Sequence, residues 1–511
     1  MRVAVVGGGV AGLGAAWALS KRHDVVLFER EATFGGHACT VDLPGEGGAT
    51  QPVDMGFLVF NEWWYPNFCA LLDTLGVRSH LVPTLDLAVQ FDGGAWRTRH
   101  DTSFWREIAD EAERFQLAMP DVAANPLAYA EVTIEEWLDK NGYSNIFRDA
   151  VLAPLLSTTF LTRTGLPDSS IFTCACFFGP FPILSLLTRV AWRTVEGGSR
   201  SYVNAMLDGF PGGLRPGSRV ERIRRNRTRV ELLVDGRREK FDHVVLATPA
   251  DVSLTLLEEP SQDETTYLGD FTYDDAHVVL HRDERTMPTE RRLWAAFNFV
   301  TEEASGPFRQ GSYSYFSSAF QRWVDDDVFV TVGPRSAKIP PEHRLSEHHW
   351  RHRVPDFAAP IRSRELRRIQ GKRRTWYCGE YTSLIGAHEG SLISGLAVAA
   401  ALGAPYPFPD RKAARRLFED AAADHAGLIK TVRPAHESFW PPSLGALVGQ
   451  MLGSSLAQRA RGPRELVPAR LASLVSNLVV DRVPVYRSFK KELSSPHGDV
   501  RARVYRRDTD A

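Results

Sequence analysis

The chain opens on a short apolar run, Val3-Ala4-Val5-Val6, and passes straight into Gly7-Gly8-Gly9-Val10-Ala11-Gly12. Ala15, Ala16 and Leu19 then recur at helical spacing, and Val25-Val26-Leu27-Phe28 form a second apolar run ending at Glu29. This pattern predicts strand, tight turn, helix, strand, acid. From 69 to 160 the spacing turns helical, carried by Leu71, Leu72, Leu75, Ile108, Phe115, Trp137 and Leu138, and predicts a helical cap. Residues 171–193 are densely apolar, as either core or the lining of a hydrophobic tunnel. Strands are expected at 219–223, 229–234, 242–249 and 277–281. A last strand runs into Gly379-Glu380, and a small-residue helix is expected to begin near Gly390. Beyond 405, two segments (444–456 and 471–479) are amphipathic at helical spacing.

The opening stretch carries chemistry. Gly7 allows the turn, and Gly9 lets backbone N–H groups at Val10 and Ala11 approach a pyrophosphate at the helix N-terminus. Gly12 permits close helix–strand packing, and Glu29 can take ribose hydroxyls. The glycines lie between a strand and a helix, and the acid ends the second strand, so the stretch reads as a dinucleotide site. After Glu29 and Arg30, the pair Gly35-Gly36 resembles the extended fingerprint of FAD enzymes in the glutathione-reductase-like group. More narrowly, it resembles the flavin amine oxidase and phytoene desaturase superfamily, in which paired glycines let the chain pass close to FAD. An NAD-specific dehydrogenase has no need of that second turn. Two positions depart from the pattern: Arg22 or His23 replaces a glycine, and His37 stands where Arg is frequent.

A second block repeats the resemblance more than 340 residues later: Tyr377-Cys378-Gly379-Glu380-Tyr381, then Gly386-Ala387-His388-Glu389-Gly390-Ser391. The resemblance implies that Glu380 bonds the ribityl–phosphate region and that the helix N-terminus near Glu389 and Ser391 faces the flavin pyrimidine. The dipole there favours negative charge. It also implies a backbone contact from Val220 to the adenine. Val53-Asp54-Met55-Gly56, Asn61-Glu62 and Tyr65-Pro66-Asn67-Phe68 closely resemble a bacterial group of predicted NAD/FAD-binding, amine-oxidase-like proteins. There the Asp-x-Gly turn either lies beside the flavin or is an ordinary turn closed by an Asx bond.

The fold class implied is α/β: an interrupted Rossmann-type FAD-binding domain, an inserted α+β substrate domain and a helical C-terminal extension. The expected divisions are FAD-binding parts at 1–68, 193–255 and 366–405, and substrate parts at 69–192 and 256–365. A basic amphipathic extension occupies 406–511, where 18 Lys and Arg face 11 Asp and Glu.

Bulk composition changes this little. The chain has 511 residues, 43% hydrophobic and 24% charged, with net charge −1, so nothing points to nucleic acid. Five scattered cysteines form neither a disulfide framework nor a zinc pair, and no metal cluster is evident. The chain starts on its first strand without a signal peptide pattern, and no apolar run is long enough to span a bilayer. A cytoplasmic protein is expected, with peripheral contact to the inner membrane face open. The extension is read as packing against the body, self-association, membrane-surface docking or contact with an acidic carrier protein.

The expected activity is FAD-dependent removal of a hydride at flavin N5 from a hydrophobic substrate, such as a fatty-acyl, polyene or polyketide-like chain, with FAD held non-covalently. Amine oxidation is the alternative, although Gly386-Ala387-His388 lacks the aromatic residue that true amine oxidases place before Glu-Gly. Redox-neutral double-bond isomerisation is the other. His388, His37 and His277 are the candidate catalytic residues, with His388 foremost as a base or as a donor to the flavin edge.

Overall fold

The computed structural model describes residues 1–62, 64–83, 85–91, 94–98, 102–129, 132–160, 169–178, 191–301, 311–354, 365–383 and 387–426. The amphipathic segments at 444–456 and 471–479, residues 179–190 of the apolar stretch and Gly386 lie outside them.

Two sheets organise the described chain. The first is five-stranded and wholly parallel. Its order is β19 (Thr375–Tyr377), β13 (His243–Leu246), β1 (Arg2–Val6), β2 (Asp24–Phe28) and β9 (Gly213–Arg215). Parallel strands bury both faces, which is why these segments read as continuous apolar runs. Val3, Val5, Val25, Leu27 and Val245 point into one core, with α1 (Val10–Leu19) and the Ala387–Ala401 helix. Ala4, Val6, Val26, Phe28, Val244 and Leu246 point into the other, beneath the antiparallel ribbon β10 (Val220–Arg225), β11 (Val230–Val234) and β12 (Arg237–Phe241).

Those two helices join the ends of the fold. A Cβ on Gly395 would collide with the Ala11 carbonyl oxygen, and one on Gly14 would reach Leu392 Cδ1 at 2.8 Å. Glycine and alanine thus let the two backbones approach closely, setting the C-terminal block beside the N-terminal one.

The second sheet is seven-stranded. Its order is β18 (Arg344–Arg353), β14 (Tyr273–His281), β17 (Phe329–Val332), β16 (Gly311–Phe316), β15 (Phe297–Thr301), β6 (Leu87–Phe91) and β7 (Gly94–Arg97). It is antiparallel except where β15 meets β6. β6 and β7 correct the helical reading of 69–160. Leu87, Ala88 and Val89 are buried in a sheet completed by strands more than 180 residues away, a pairing that local spacing cannot reveal. The helices Thr102–Ala124 and Ile134–Lys140 form as the spacing predicts, burying Ile108, Phe115, Trp137 and Leu138 on one continuous core with the sheet.

The first part of the extension is packed. The Lys412–Ala426 helix buries Ala414, Phe418 and Ala422 in the same core as α1, and Tyr406 Oη donates to Asn67 Oδ1 at 2.7 Å. Among the described residues, no helix is long and apolar enough to cross a membrane.

Candidate functional site

The glycine turn is closed on three sides and open on the fourth. Gly7, at φ +105°, leaves room for the Ala247 carbonyl, and a Cβ on Gly12 would collide with the Gly7 carbonyl oxygen. Gly35 and Gly36 pack on the turn, with Gly35 N donating to Gly8 O at 2.8 Å, and a Cβ on Gly36 would lie 3.1 Å from Gly9 Cα. At Gly9, by contrast, a Cβ would meet nothing within 4 Å. Gly9 caps α1 without any side-chain bond to the helix N–H groups. This leaves helix N–H donors uncapped by any side chain at the positive end of α1, beside the empty space at Gly9. Glu29 is fixed beside it: Oε2 accepts from Gly8 N at 2.6 Å and Oε1 from Glu31 N at 2.9 Å. A carboxylate has further acceptor capacity for hydroxyl groups. The Arg30 guanidinium turns outward to Glu31, while Val220 is buried at the start of β10.

The Gly35-Gly36 turn delivers His37 to a second cluster. Its ring stacks on His352 (centroids 4.7 Å apart, planes 11°) and meets the Trp350 edge at 5.0 Å. His37 is exposed at its surface while its ring packs on these two side chains. A Cβ on Gly56 would strike the His37 carbonyl oxygen, which also accepts from Phe57 N at 2.9 Å. The Asp-x-Gly turn therefore lies directly against His37.

His388 sits in the first turn of the Ala387–Ala401 helix, after Ala387, which adopts a left-handed φ of +56°. Its ring lies flat on Phe57 (3.7 Å, 9°) and edge-on to Phe68 and Tyr202, and Nε2 is 2.9 Å from Tyr202 Oη. Burial, reinforced by the neighbouring imidazole His37, holds His388 down at about 3. Burial and then the charge of His352 bring His37 to about 3, and burial brings His352 to about 4. All three rings are neutral at physiological pH.

The carboxylates around this cluster are committed to protein donors. Glu389 accepts from Asn67 N (2.7 Å), Asn67 Nδ2 (2.9 Å) and Phe68 N (2.9 Å), closing the N-terminus of α2 (Pro66–Leu75). Burial nevertheless raises it to about 7. Asp54, raised by burial to about 6, accepts from Thr40 Oγ1, Ser199 N, Ser199 Oγ and Gln321 Nε2. It thereby anchors the Arg200–Leu207 helix that carries Tyr202. Glu380, after Gly379 at φ +138°, pairs with the buried Arg353 at 3.3 Å. Ser391 Oγ turns back to the Ala387 carbonyl.

His277 stands apart. It stacks on His349 at 4.6 Å and bonds Glu347 and Ser336. His349 and Trp350 are successive residues of β18 and so project to opposite faces of the sheet. His277 therefore occupies the face away from His37. The residues that sequence reasoning missed are Phe57, Tyr202, Trp350, His352 and Arg353. The run His348-His349-Trp350-Arg351-His352-Arg353 was the available signal, since aromatic rings at every second position of a strand share one face.

Residues 10–286 match the family described as flavin containing amine oxidoreductase. The chain belongs to that family. Its cofactor is FAD, and it is a flavin-dependent oxidoreductase. No curated protein matches the chain. Among solved structures, cyclohexylamine oxidase from Brevibacterium oxydans IH-35A is 17% identical at a TM-score of 0.59, covering 78% of this chain and 98% of its own. A CLA-producing fatty acid isomerase from P. acnes is 16% identical at 0.57, covering 77% and 96%. Putrescine oxidase bound to putrescine is 15% identical at 0.56, covering 79% and 100%. At such identities these likenesses concern the fold. For this flavoprotein, the glycine cradle and Glu29 suit a dinucleotide: open donors for the anionic pyrophosphate and a fixed acceptor for sugar hydroxyls.

Proposed function

We propose that this flavoprotein is a dehydrogenase acting on an uncharged, hydrophobic substrate, desaturating a fatty-acyl, polyene or polyketide-like chain. Bound FAD supplies the two-electron acceptor. Gly9 and the N-terminus of α1 hold its pyrophosphate, Glu29 its ribose and Glu380 its ribityl–phosphate region, and the Gly35-Gly36 turn makes room for its passage. His37 and His388 line the reacting end, where His388 acts as a base or as a donor to the flavin edge. Arg30, Val220, Glu389 and Ser391 support the site by position.

The observation that carries this reading is the absence of an uncommitted carboxylate around His388 among the described residues. His37, His352 and His388 are all held neutral by burial. Asp54, Glu380 and Glu389 each face protein donors. Phe57 and Trp350 add apolar surface. A protonated amine entering there finds no uncommitted carboxylate among the described residues, and desolvating such a charge without a partner is costly.

The test is anaerobic mixing of the yellow holoprotein with unsaturated fatty acids and polyenes, and separately with cyclohexylamine and putrescine. Bleaching by a lipid, with a product lighter by two hydrogens, is expected. Bleaching by amines alone would make it an amine oxidase, and a lipid product of unchanged mass would make it an isomerase.

A further inference from the structure

The contact between Tyr202 and His388 fixes where the histidine carries its proton. Tyr202 is fully buried in the Arg200–Leu207 helix, and its phenol is held protonated because burial and the Asp54 charge push its ionisation far up. Its O–H has one partner among the described residues, His388 Nε2 at 2.9 Å. Two arrangements satisfy that distance. In one, Nε2–H donates to the phenol oxygen, and the Tyr202 proton is left as a buried donor with no acceptor. In the other, the phenol donates to an Nε2 lone pair, and the imidazole proton sits on Nδ1. Only the second gives every proton on the buried side of the contact a partner. Leaving one buried donor unpaired disfavours the alternative by roughly tenfold to a hundredfold.

We infer that Tyr202 is a positioning residue that locks His388 in the neutral Nδ1–H tautomer, so that His388 meets the reactants as a hydrogen-bond donor and not as a base. Three features around the ring support this. The flat stack on Phe57 at 3.7 Å prevents the ring from rotating to exchange its nitrogens. Phe68 and Tyr202 close its edges. Its place in the first turn of a helix disfavours a second proton, because the positive end of the dipole repels a cation. Nδ1 has no protein partner among the described residues and is not one of their buried orphan atoms, so its N–H, on the side away from Tyr202, stays open to water or a bound group and is not stranded as the Tyr202 proton would be. Asp54 supports the lock from behind by holding the Tyr202 helix at Ser199. The assignment of a donor role rests on placing His388 at the reacting end of the site; the tautomer itself does not.

The proton is read directly by two-bond proton–nitrogen correlation on the full-length, FAD-loaded chain labelled with nitrogen-15 histidine. The His388 resonances are assigned as those lost in His388→Asn. The wild type is expected to show Nδ1 protonated and Nε2 as an acceptor. Tyr202→Phe keeps the ring against Phe68 but deletes the O–H, and is expected to lower the Nδ1–H preference about tenfold or more while FAD absorbance is retained. A wild-type proton on Nε2, or a tautomer unmoved in Tyr202→Phe, overturns the inference. Should Tyr202→Phe fail to fold, the wild-type spectrum alone decides. If the lock is seen but His388→Phe is bleached by the unsaturated fatty acids and polyenes as fast as the wild type, the place of His388 in the reaction fails, while the lock stands.

Discussion

Gly9→Ala separates folding from cofactor binding. Gly9 has φ −72° and ψ 178°, a conformation open to any residue, and its Cβ direction is empty to 4 Å. Alanine there stiffens the unfolded chain, a gain of about 0.4–1 kcal/mol. It is also a poorer N-cap than glycine, a loss of about 0.5 kcal/mol or more. The two offset, so the cofactor-free protein should keep its stability to within about 0.5 kcal/mol. The same methyl projects into the cradle assigned to the pyrophosphate. Losing one charge-assisted bond from the α1 N–H groups costs about 1.5–3 kcal/mol, which raises the FAD dissociation constant about tenfold to a hundredfold. FAD at about 100 times its wild-type dissociation constant stabilises the wild type by about 2.7 kcal/mol; at a hundredfold weaker affinity the gain falls to about 0.4 kcal/mol. The assay is thermal unfolding with and without FAD, alongside titration by flavin fluorescence. Gly12→Ala is the contrast, because its methyl collides with the Gly7 backbone and destabilises the protein even without FAD. An unchanged FAD affinity in Gly9→Ala would refute the placement of the pyrophosphate.

Glu389 gives a pH signature. Its folded value of about 7 lies above the ordinary 4.5. The folded state therefore binds the extra proton between those values, and the stability from this group is full below 4.5 and lost as pH rises through 7. Relative to Glu389→Gln, the wild type should gain up to about 3 kcal/mol as pH falls from about 8 to about 5, measured by urea unfolding. A difference that is flat with pH would contradict this. Arg225 and Glu264 form an ion pair in which each side chain is 1% exposed, and Tyr377 Oη also donates to Glu264 at 2.7 Å. Glu264→Ala strands a buried guanidinium and should cost about 3–5 kcal/mol in denaturant unfolding; a loss below about 1 kcal/mol would show that water reaches it.

The sequence by itself determined the nucleotide half of this protein. Its signals are local and backbone-borne: glycines where a side chain cannot fit, an acid at a strand end, and apolar runs long enough for strands buried on both faces. Such constraints act within about forty residues, so spacing exposes them. The distant 379–401 block was legible too, through its resemblance to a C-terminal FAD motif, whereas the close approach of its helix to α1 at Gly395 was decided by packing. The surroundings of His388 were decided by tertiary structure. Phe57, Tyr202 and the β18 pair Trp350 and His352 come from three separate stretches, and nothing local marks those stretches as neighbours. His277 and His37 look alike in sequence, but one residue of register on β18 places their partners, His349 and Trp350, on opposite faces of a sheet. Glu389 had the place of a cofactor residue, yet its carboxylate closes the N-terminus of α2. Side-chain chemistry at a site depends on which donors and charges arrive from elsewhere in the chain, and those are set by packing.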